Sequence, residues 1–196
     1  MNISKQTNNV LVEVSQVDSG YDEPVTVEEL KAHLRINTDV EDTELAVYIT
    51  AARQQFEYGT NGRIVVPAIY KQYCNYWQDV IRLQVGAVTE VTSVEYYDED
   101  DALQDLASYS TDLTSTPALV YVPDFDYPAL SSTIIRPIVI TFIAGMATVP
   151  SDVALAIKLL AGHYYKNRES HLVDDLKELP LGFQRICSKY NTGLIA

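Results

Sequence analysis

Cysteine is scarce in this 196-residue chain, which contains only Cys74 and Cys187. They form no Cys-x-x-Cys pair, so the sequence predicts two small buried thiols and neither a disulfide framework nor a zinc site. Continuous apolar runs are also missing. None approaches the ~20 residues of a membrane span, and Met1–Gln16 lacks the apolar core of a secretory signal. These absences predict a soluble, intracellular protein without a membrane partner.

Positive charge is the second shortage. The chain has 14 Lys and Arg against 27 Asp and Glu, a net charge of −13. This balance argues against a protein that coats nucleic acid, because phosphate binding requires basic side chains that displace counterions. Before Ser151 there are eight basic and 22 acidic residues, whereas six basic and five acidic residues follow. The acidic part is either an ordinary solvated surface or a face that DNA passes without binding.

Motifs for catalysis or metal binding are missing as well. The three histidines belong to no His-Glu-x-x-His motif, and the sequence has no Gly-x-Ser-x-Gly motif. The turn Gly59–Arg63 lacks the Lys-Ser or Lys-Thr of a phosphate loop, and Asp98–Asp101 lacks the spacing of a calcium loop. We therefore expect no enzyme, cofactor or metal. A small acidic hydrolase is the remaining alternative, and it requires a concave pocket with perturbed carboxylates.

Helical signals occur near both ends of the chain. Thr26 and Glu29 form a capping box, which predicts a helix that ends near Asn37–Asp39. A second helix is expected from Asp42, with Gly59 as its C-terminal cap. A third follows Ser151 as N-cap, and a short fourth helix covers Phe183–Tyr190. The apolar positions at helical spacing are Leu45, Ile49, Ala52 and Phe56 in the second helix, and Val153, Ala156, Ile157, Leu160, Ala161 and Tyr164 in the third.

Between the helices, Ile69–Ile143 is rich in β-branched and aromatic residues, which predicts antiparallel strands. Val10–Val14 is either another short strand or an extended arm against a neighbour. The Pro- and Asp-rich stretch Leu113–Ser132 is typical of a long loop. Its aromatic residues either form a protein interface or pack over the sheet; these interface candidates are Tyr121, Phe125 and Tyr127.

Together these elements predict an α+β fold. Two N-terminal helices and a long C-terminal helix are expected to form a helical bundle that carries an inserted antiparallel β-region. The expected segments are an N-terminal arm at 1–25, a helical core at 26–66 and 146–190, a β-rich insertion at 67–145, and a C-terminal tail at 191–196.

Several sequence blocks, taken together and in order, resemble the head-to-tail connector, or adaptor, proteins of tailed bacteriophages. They include a Lys-x-His-Leu-Arg helix, an Ala-Ala-Arg helix ending at Thr-Asn-Gly-Arg, and an Ala-Gly-x-x-x-Val-Pro junction. The blocks are Pro24–Ile36, Glu41–Arg63, Val91–Asp101, Val139–Ser170 and Glu178–Ile186. The resemblance depends on the whole set, since each block alone is too common to identify a family.

The resemblance implies an architectural protein of the virion neck, made in the host cytoplasm and working without a cofactor. It implies a homo-oligomeric ring of about twelve copies below the portal protein, extending the DNA channel and docking a stopper or tail-completion protein. DNA would pass through the lumen without specific binding. A different virion completion protein, tail-completion or capsid-associated, is the alternative.

Within this interpretation, the apolar C-terminal end is the expected portal contact, because an extended tail can order against a partner. The candidate residues are Lys189, Tyr190, Leu194, Ile195 and Ala196.

Overall fold

The computed structural model describes residues 11–17, 22–62, 64–123, 127–167 and 180–192, with the backbone alone described at 15–17. The fold is α+β, as the sequence predicted. In chain order the elements are β1 (Leu11–Val17), α1 (Val27–Leu34), α2 (Asp42–Gly59), β2 (Ala68–Cys74), β3 (Val80–Arg82), β4 (Val88–Tyr97), β5 (Leu103–Asp105), β6 (Ser110–Asp112), β7 (Leu119–Tyr121), β8 (Ile138–Ala144), α3 (Ser151–Lys166) and α4 (Leu181–Tyr190). The chain divides into two compact units.

The helical unit comprises Gly20–Val66 and Met146–Ala196. The predicted apolar face of α2 is confirmed, because Leu45, Ile49, Ala52 and Phe56 are all buried. They share one core with residues of α1, α3 and α4. The other buried members of that core are Val25, Leu30, Val65, Val153, Ala156, Ile157, Leu160, Ala161, Phe183 and Cys187.

The predicted capping box at the start of α1 is present. The Glu29 amide donates to Thr26 Oγ1 at 3.1 Å, and the Thr26 amide donates to Glu29 Oε2 at 3.4 Å. The helix ends at Leu34, before the expected Asn37–Asp39. It ends there because Arg35 adopts a left-handed conformation with φ 61° and its amide donates to the carbonyls of Lys31 and Ala32.

Two of the predicted helix caps are wrong. Gly59 is the last residue of α2, and the left-handed turn comes later, at Asn61 (φ 55°) and Gly62 (φ 81°). Gly59 packs beside α4, where an added Cβ would lie 3.4 Å from Cys187 Sγ, an ordinary van der Waals contact. Ser151 is the first helical residue of α3, which has no side-chain N-cap hydrogen bond because the N-cap position is occupied by a proline.

The β unit comprises Met1–Ser19 and Pro67–Gly145. It holds a five-stranded antiparallel sheet, in the order β1-β2-β8-β4-β5, and a three-stranded antiparallel sheet, in the order β3-β7-β6. Strand β1 pairs with β2, so the strand interpretation of the N-terminal segment is the correct one. The polar strands β5 and β6 were not predicted, because every side chain in them is exposed and their sequence has no apolar alternation.

The buried side chains of β2 lie on one face of the five-stranded sheet. Side chains of β2 alternate between buried and half-buried, and Tyr70 stacks on Phe142 of β8 with ring centroids 5.8 Å apart. Gln72 is a polar residue on this buried side. Its Nε2 donates to the Arg82 carbonyl at 2.9 Å, and its Oε1 accepts from the Gln84 amide at 2.8 Å. One side chain therefore satisfies two backbone groups at the end of β3 and links the two sheets.

Candidate interaction surfaces

Helix α4 is fixed to the helical core by its apolar side. Phe183 and Cys187 are buried, and the Phe183 ring meets Phe56 of α2 edge-on at 6.4 Å. Tyr190, a predicted portal contact, meets the same Phe56 ring at 6.1 Å. The last turn of α4 is therefore part of the folded helical unit.

A carboxylate at the start of α3 holds the end of α4. Lys189 Nζ lies 2.6 Å from Asp152 Oδ2, and the Tyr190 hydroxyl donates to Asp152 Oδ1 at 2.7 Å. Hydrogen bonds from Lys189 and Tyr190 lower the pKa of Asp152, and the bond to Asp152 raises the pKa of Lys189. Lys189 and Tyr190 thus connect α3 and α4. The other predicted portal contacts, Leu194, Ile195 and Ala196, lie outside the described residues.

The residues after α4 are tied to the end of α2. Thr192 donates through its amide to the Thr60 carbonyl at 3.1 Å and through Oγ1 to the Asn61 carbonyl at 2.6 Å. Asn61 Nδ2 also donates to Asn191 Oδ1 at 3.1 Å. Asn191 and Thr192, the first two residues of the C-terminal tail, are therefore held on the helical unit.

The aromatic candidates of the β unit occupy different environments. Tyr127 stacks on Trp77 at 6.1 Å, and its hydroxyl donates to Asp79. Trp77 also meets Tyr96 edge-on at 5.7 Å. Tyr127 therefore packs within the unit, whereas Tyr121 on β7 is 47% exposed. Phe125 lies outside the described residues.

The acidic turn after β4 has a structural use. Asp98 Oδ1 accepts from the amides of Asp100 and Ala102, both at 3.0 Å. Asp101 accepts from the hydroxyls of Ser131 and Thr133, which holds the long loop against this turn. These hydrogen bonds lower the pKa of both Asp98 and Asp101. Within the described ranges, no group of three or more His, Cys, Asp or Glu side chains is arranged to hold a metal ion.

The outer side of α2 carries a groove that sequence analysis missed. It consists of two adjoining openings of about 390 and 450 Å³, and Ala46 and Thr50 line both of them. The segment before α1 forms one wall and contributes Asp22 and Glu23 to the rim. The α2 side chains of the groove are all uncharged: Thr43, Ala46, Val47, Ile49, Thr50, Ala51 and Gln54. We call this surface the α2 groove.

A half-buried ion-pair network supports the rim of the α2 groove. Arg53 Nε lies 2.8 Å from Glu23 Oε2, and Arg53 Nη1 lies 2.9 Å from Glu57 Oε2. Thr50 donates to Glu23 Oε1 at 2.9 Å. Burial raises the pKa of Glu57, although the Val65 amide and Arg53 act in the opposite direction. The network holds Glu23 in place and leaves the exposed Asp22 next to the opening.

The outer side of α4 is the second surface that was missed. Its exposed residues include Leu181, Gln184, Arg185 and Ser188, which recur at helical spacing. Helix α4 contains no acidic residue, although the chain carries a net charge of −13. We call these four residues the α4 outer face. The sequence signal for both surfaces is a row of residues at helical spacing that contains no Asp or Glu. A search for apolar helix faces does not detect such a row.

Comparisons with known proteins agree with this architecture. Residues 24–115 match the family model described as phage gp6-like head-tail connector protein. No curated protein matches the chain. Along the described residues, no helix is both long enough and apolar enough to cross a membrane.

Three solved chains share the fold over nearly the whole sequence. One comes from the neck of an empty gene transfer agent particle computed with C6 symmetry, with 21% identity, coverage of 95% of this chain and 97% of that chain, and a TM-score of 0.74. A chain from the virion of the native particle has the same identity and coverage and a TM-score of 0.75. A chain from the native neck computed with C12 symmetry, again at the same identity and coverage, has a TM-score of 0.73. The chain is thus similar to the head-tail connector family in the sequence of residues 24–115, and it shares its fold with neck chains over 95% of its length.

Proposed function

We propose that this protein is a structural component of the virion neck that forms a ring below the portal. In this role it extends the DNA channel and docks a stopper or tail-completion protein. The activity is architectural, and the proposal assigns it no catalytic step or cofactor. The match of residues 24–115 to the connector family model and the fold shared with neck chains support this role.

The observation that carries the proposal is the extent of the structural match. It covers 95% of this chain and 97% of a chain from a neck computed with C12 symmetry. Both the helices and the strands are therefore included in the shared architecture. A closed ring requires each copy to present two different surfaces to its neighbours, and the α2 groove and the α4 outer face are two such surfaces.

The distribution of charge suits a channel through which DNA slides. The segment Asp98–Asp112 contains six acidic residues and no Lys or Arg. Glu99, Asp100, Asp105 and Asp112 are exposed there. Acidic walls repel phosphate, whereas basic walls would bind DNA through counterion release and slow it. We assign this acidic segment to the lumen side of the ring.

The C-terminal tail is the proposed portal contact. Asn191 and Thr192 are hydrogen-bonded to the turn that follows α2, and the residues after them include Leu194 and Ile195. Since Lys189 and Tyr190 already bind Asp152, we place the principal contact at residues 193–196. The exposed Tyr121 remains a candidate contact for a ring neighbour or the tail-side partner.

Binding to the cognate portal tests the proposal. A variant lacking residues 193–196 keeps the bonds of Asp152 and Thr192, so we expect wild-type thermal stability. Loss of two apolar side chains from a buried contact should weaken portal binding about 100-fold. The double variant Leu194→Asp and Ile195→Asp should bind the portal as weakly as the shortened chain. The conservative double variant Leu194→Ile and Ile195→Leu should bind as wild type does. Wild-type binding by the shortened chain would refute the tail contact.

A further inference from the structure

We propose that the α4 outer face of one copy docks in the α2 groove of the next copy. The inference deepens the proposed function, because it names the two surfaces by which copies of this chain would join in the ring. It is drawn from the helical unit alone, in which both surfaces are described.

The α2 groove has the composition of a surface that another protein molecule covers. Val47 is 61% exposed, and Tyr58, which continues the same side of α2, is 76% exposed. From Thr43 to Gln54 the groove runs for about 16 Å along the helix axis, which matches the ten-residue length of α4. Uncharged residues line its floor in a chain with a net charge of −13.

Charge complementarity selects the occupant. Two acidic proteins repel each other unless the surfaces that meet differ in charge. The α4 outer face offers Leu181 as an apolar contact and Arg185 as a cation, on a helix without acidic residues. The rim of the α2 groove offers Asp22, while Glu23 is bound by Arg53. An Arg185–Asp22 pair would place the apolar Leu181 over the groove floor.

The arrangement of the two surfaces suits a head-to-tail assembly. The groove residues Val47, Ala51 and Gln54 lie on the side of α2 opposite its buried residues. Helix α4 packs on the buried side, where Phe183 and Tyr190 meet Phe56. The helical core thus separates the α2 groove from the α4 outer face. A contact between such different surfaces is heterologous, and it closes into a ring when the rotation per copy allows.

Site-directed cross-linking tests the contact even if free copies associate weakly. Val47→Cys and Leu181→Cys are made separately and treated with a short bis-maleimide, with and without cognate portal. The native Cys74 and Cys187 are buried, and burial raises the pKa of each to about 11, so they should react slowly. We expect a dimer only when the two variants are mixed. The chain carrying both cysteines should give a ladder of oligomers.

As a control, Leu181→Cys is mixed with Val40→Cys, because Val40 is also exposed but lies outside the α2 groove. It should give at least 10-fold less cross-linked dimer. Equal yields from the control pair would overturn the inference. A portal-bound ring without a Val47–Leu181 cross-link would overturn the contact and leave the proposed function standing. If no oligomer forms under either condition, both the ring and the contact are refuted.

A charge exchange tests the ionic part of the same contact. Arg185→Glu should lower the cross-linking yield of the Val47–Leu181 pair about 10-fold, as should Asp22→Arg, and combining both changes should restore it. Lys166→Glu changes the charge equally at another exposed position of the helical unit and should leave the yield unchanged. If the double exchange does not restore the cross-linking yield, the Arg185–Asp22 pair is refuted. If Lys166→Glu lowers the yield as much as Arg185→Glu does, the change in net charge alone explains the loss and the pair is likewise refuted.

Discussion

The two units of this chain are stabilised in different ways. The helical unit has a core built from apolar side chains, and its ion pairs lie at the rim and at helix ends. The β unit also has an apolar core, but it depends on polar side chains at defined places: Gln72 joins its two sheets, and Asp101 holds its long loop. Helical periodicity in the sequence therefore reveals a unit of the first kind, whereas a unit of the second kind depends on single hydrogen-bonding residues.

The largest effect should come from the helical core. Phe56→Ala removes the ring that meets both Phe183 and Tyr190, and should lower the free energy of unfolding by about 3–5 kcal/mol. Urea unfolding followed by circular dichroism measures this loss. Val40→Ala, at a position that is 89% exposed, should change the free energy by less than about 0.5 kcal/mol. A similar loss in both variants would contradict the assignment of the core.

The β unit should be most sensitive at Gln72. Gln72→Leu introduces an apolar side chain of similar size, but it leaves the Arg82 carbonyl and the Gln84 amide without their partner. We expect a loss of about 2–4 kcal/mol, since each unsatisfied buried group costs about 1–3 kcal/mol. The same substitution at the exposed Gln54 should cost less than about 0.5 kcal/mol. A neutral Gln72→Leu would show that the two sheets do not need this link.

A smaller effect is expected at the start of α1. Thr26→Ala removes the hydroxyl that accepts from the Glu29 amide, and should cost about 1 kcal/mol. Thr26→Ser retains the hydroxyl and should restore most of the stability. Denaturant midpoints of the three proteins provide the measurement, and equal losses for serine and alanine would exclude capping as the cause.

The smallest effect concerns pH. Because Lys189 and Tyr190 donate to the ionised form of Asp152, its folded-state pKa lies below the ordinary value of 3.8. The stability that these hydrogen bonds contribute is fully present above pH 3.8. It is lost as the pH falls through the lower folded-state pKa of Asp152. The thermal midpoints of wild type and Asp152→Asn should therefore differ at neutral pH and converge in acid. Asp105→Asn, at an exposed position of the β unit, should follow wild type throughout.

The contrast between the units also explains how far the sequence could predict the structure. The α2 face was predictable because Leu45, Ile49, Ala52 and Phe56 recur at helical spacing and all become buried. Gln72 could not be recognised, because a polar residue in an alternating strand gives no sign that distant backbone groups will bind it. Strands β5 and β6 were not predicted because all their side chains are exposed.

The candidate surfaces were predicted only in part. The apolar character of the C-terminal end was visible, but the binding of Lys189 and Tyr190 to Asp152, some 37 residues away, depends on how α4 packs. Tyr121 and Tyr127 looked equivalent in sequence, yet Tyr127 stacks on Trp77 while Tyr121 is 47% exposed. The α2 groove requires the segment before α1 as its second wall, which periodicity along α2 does not reveal.

We propose that copies of this chain form a ring on the portal. The most direct measurement is the mass of the purified protein in solution, alone and after mixing with its cognate portal. We expect one complex of defined mass, in which a fixed number of copies adds to each portal ring. A protein that leaves the mass of the portal unchanged, at concentrations where other neck components bind, would contradict the claim.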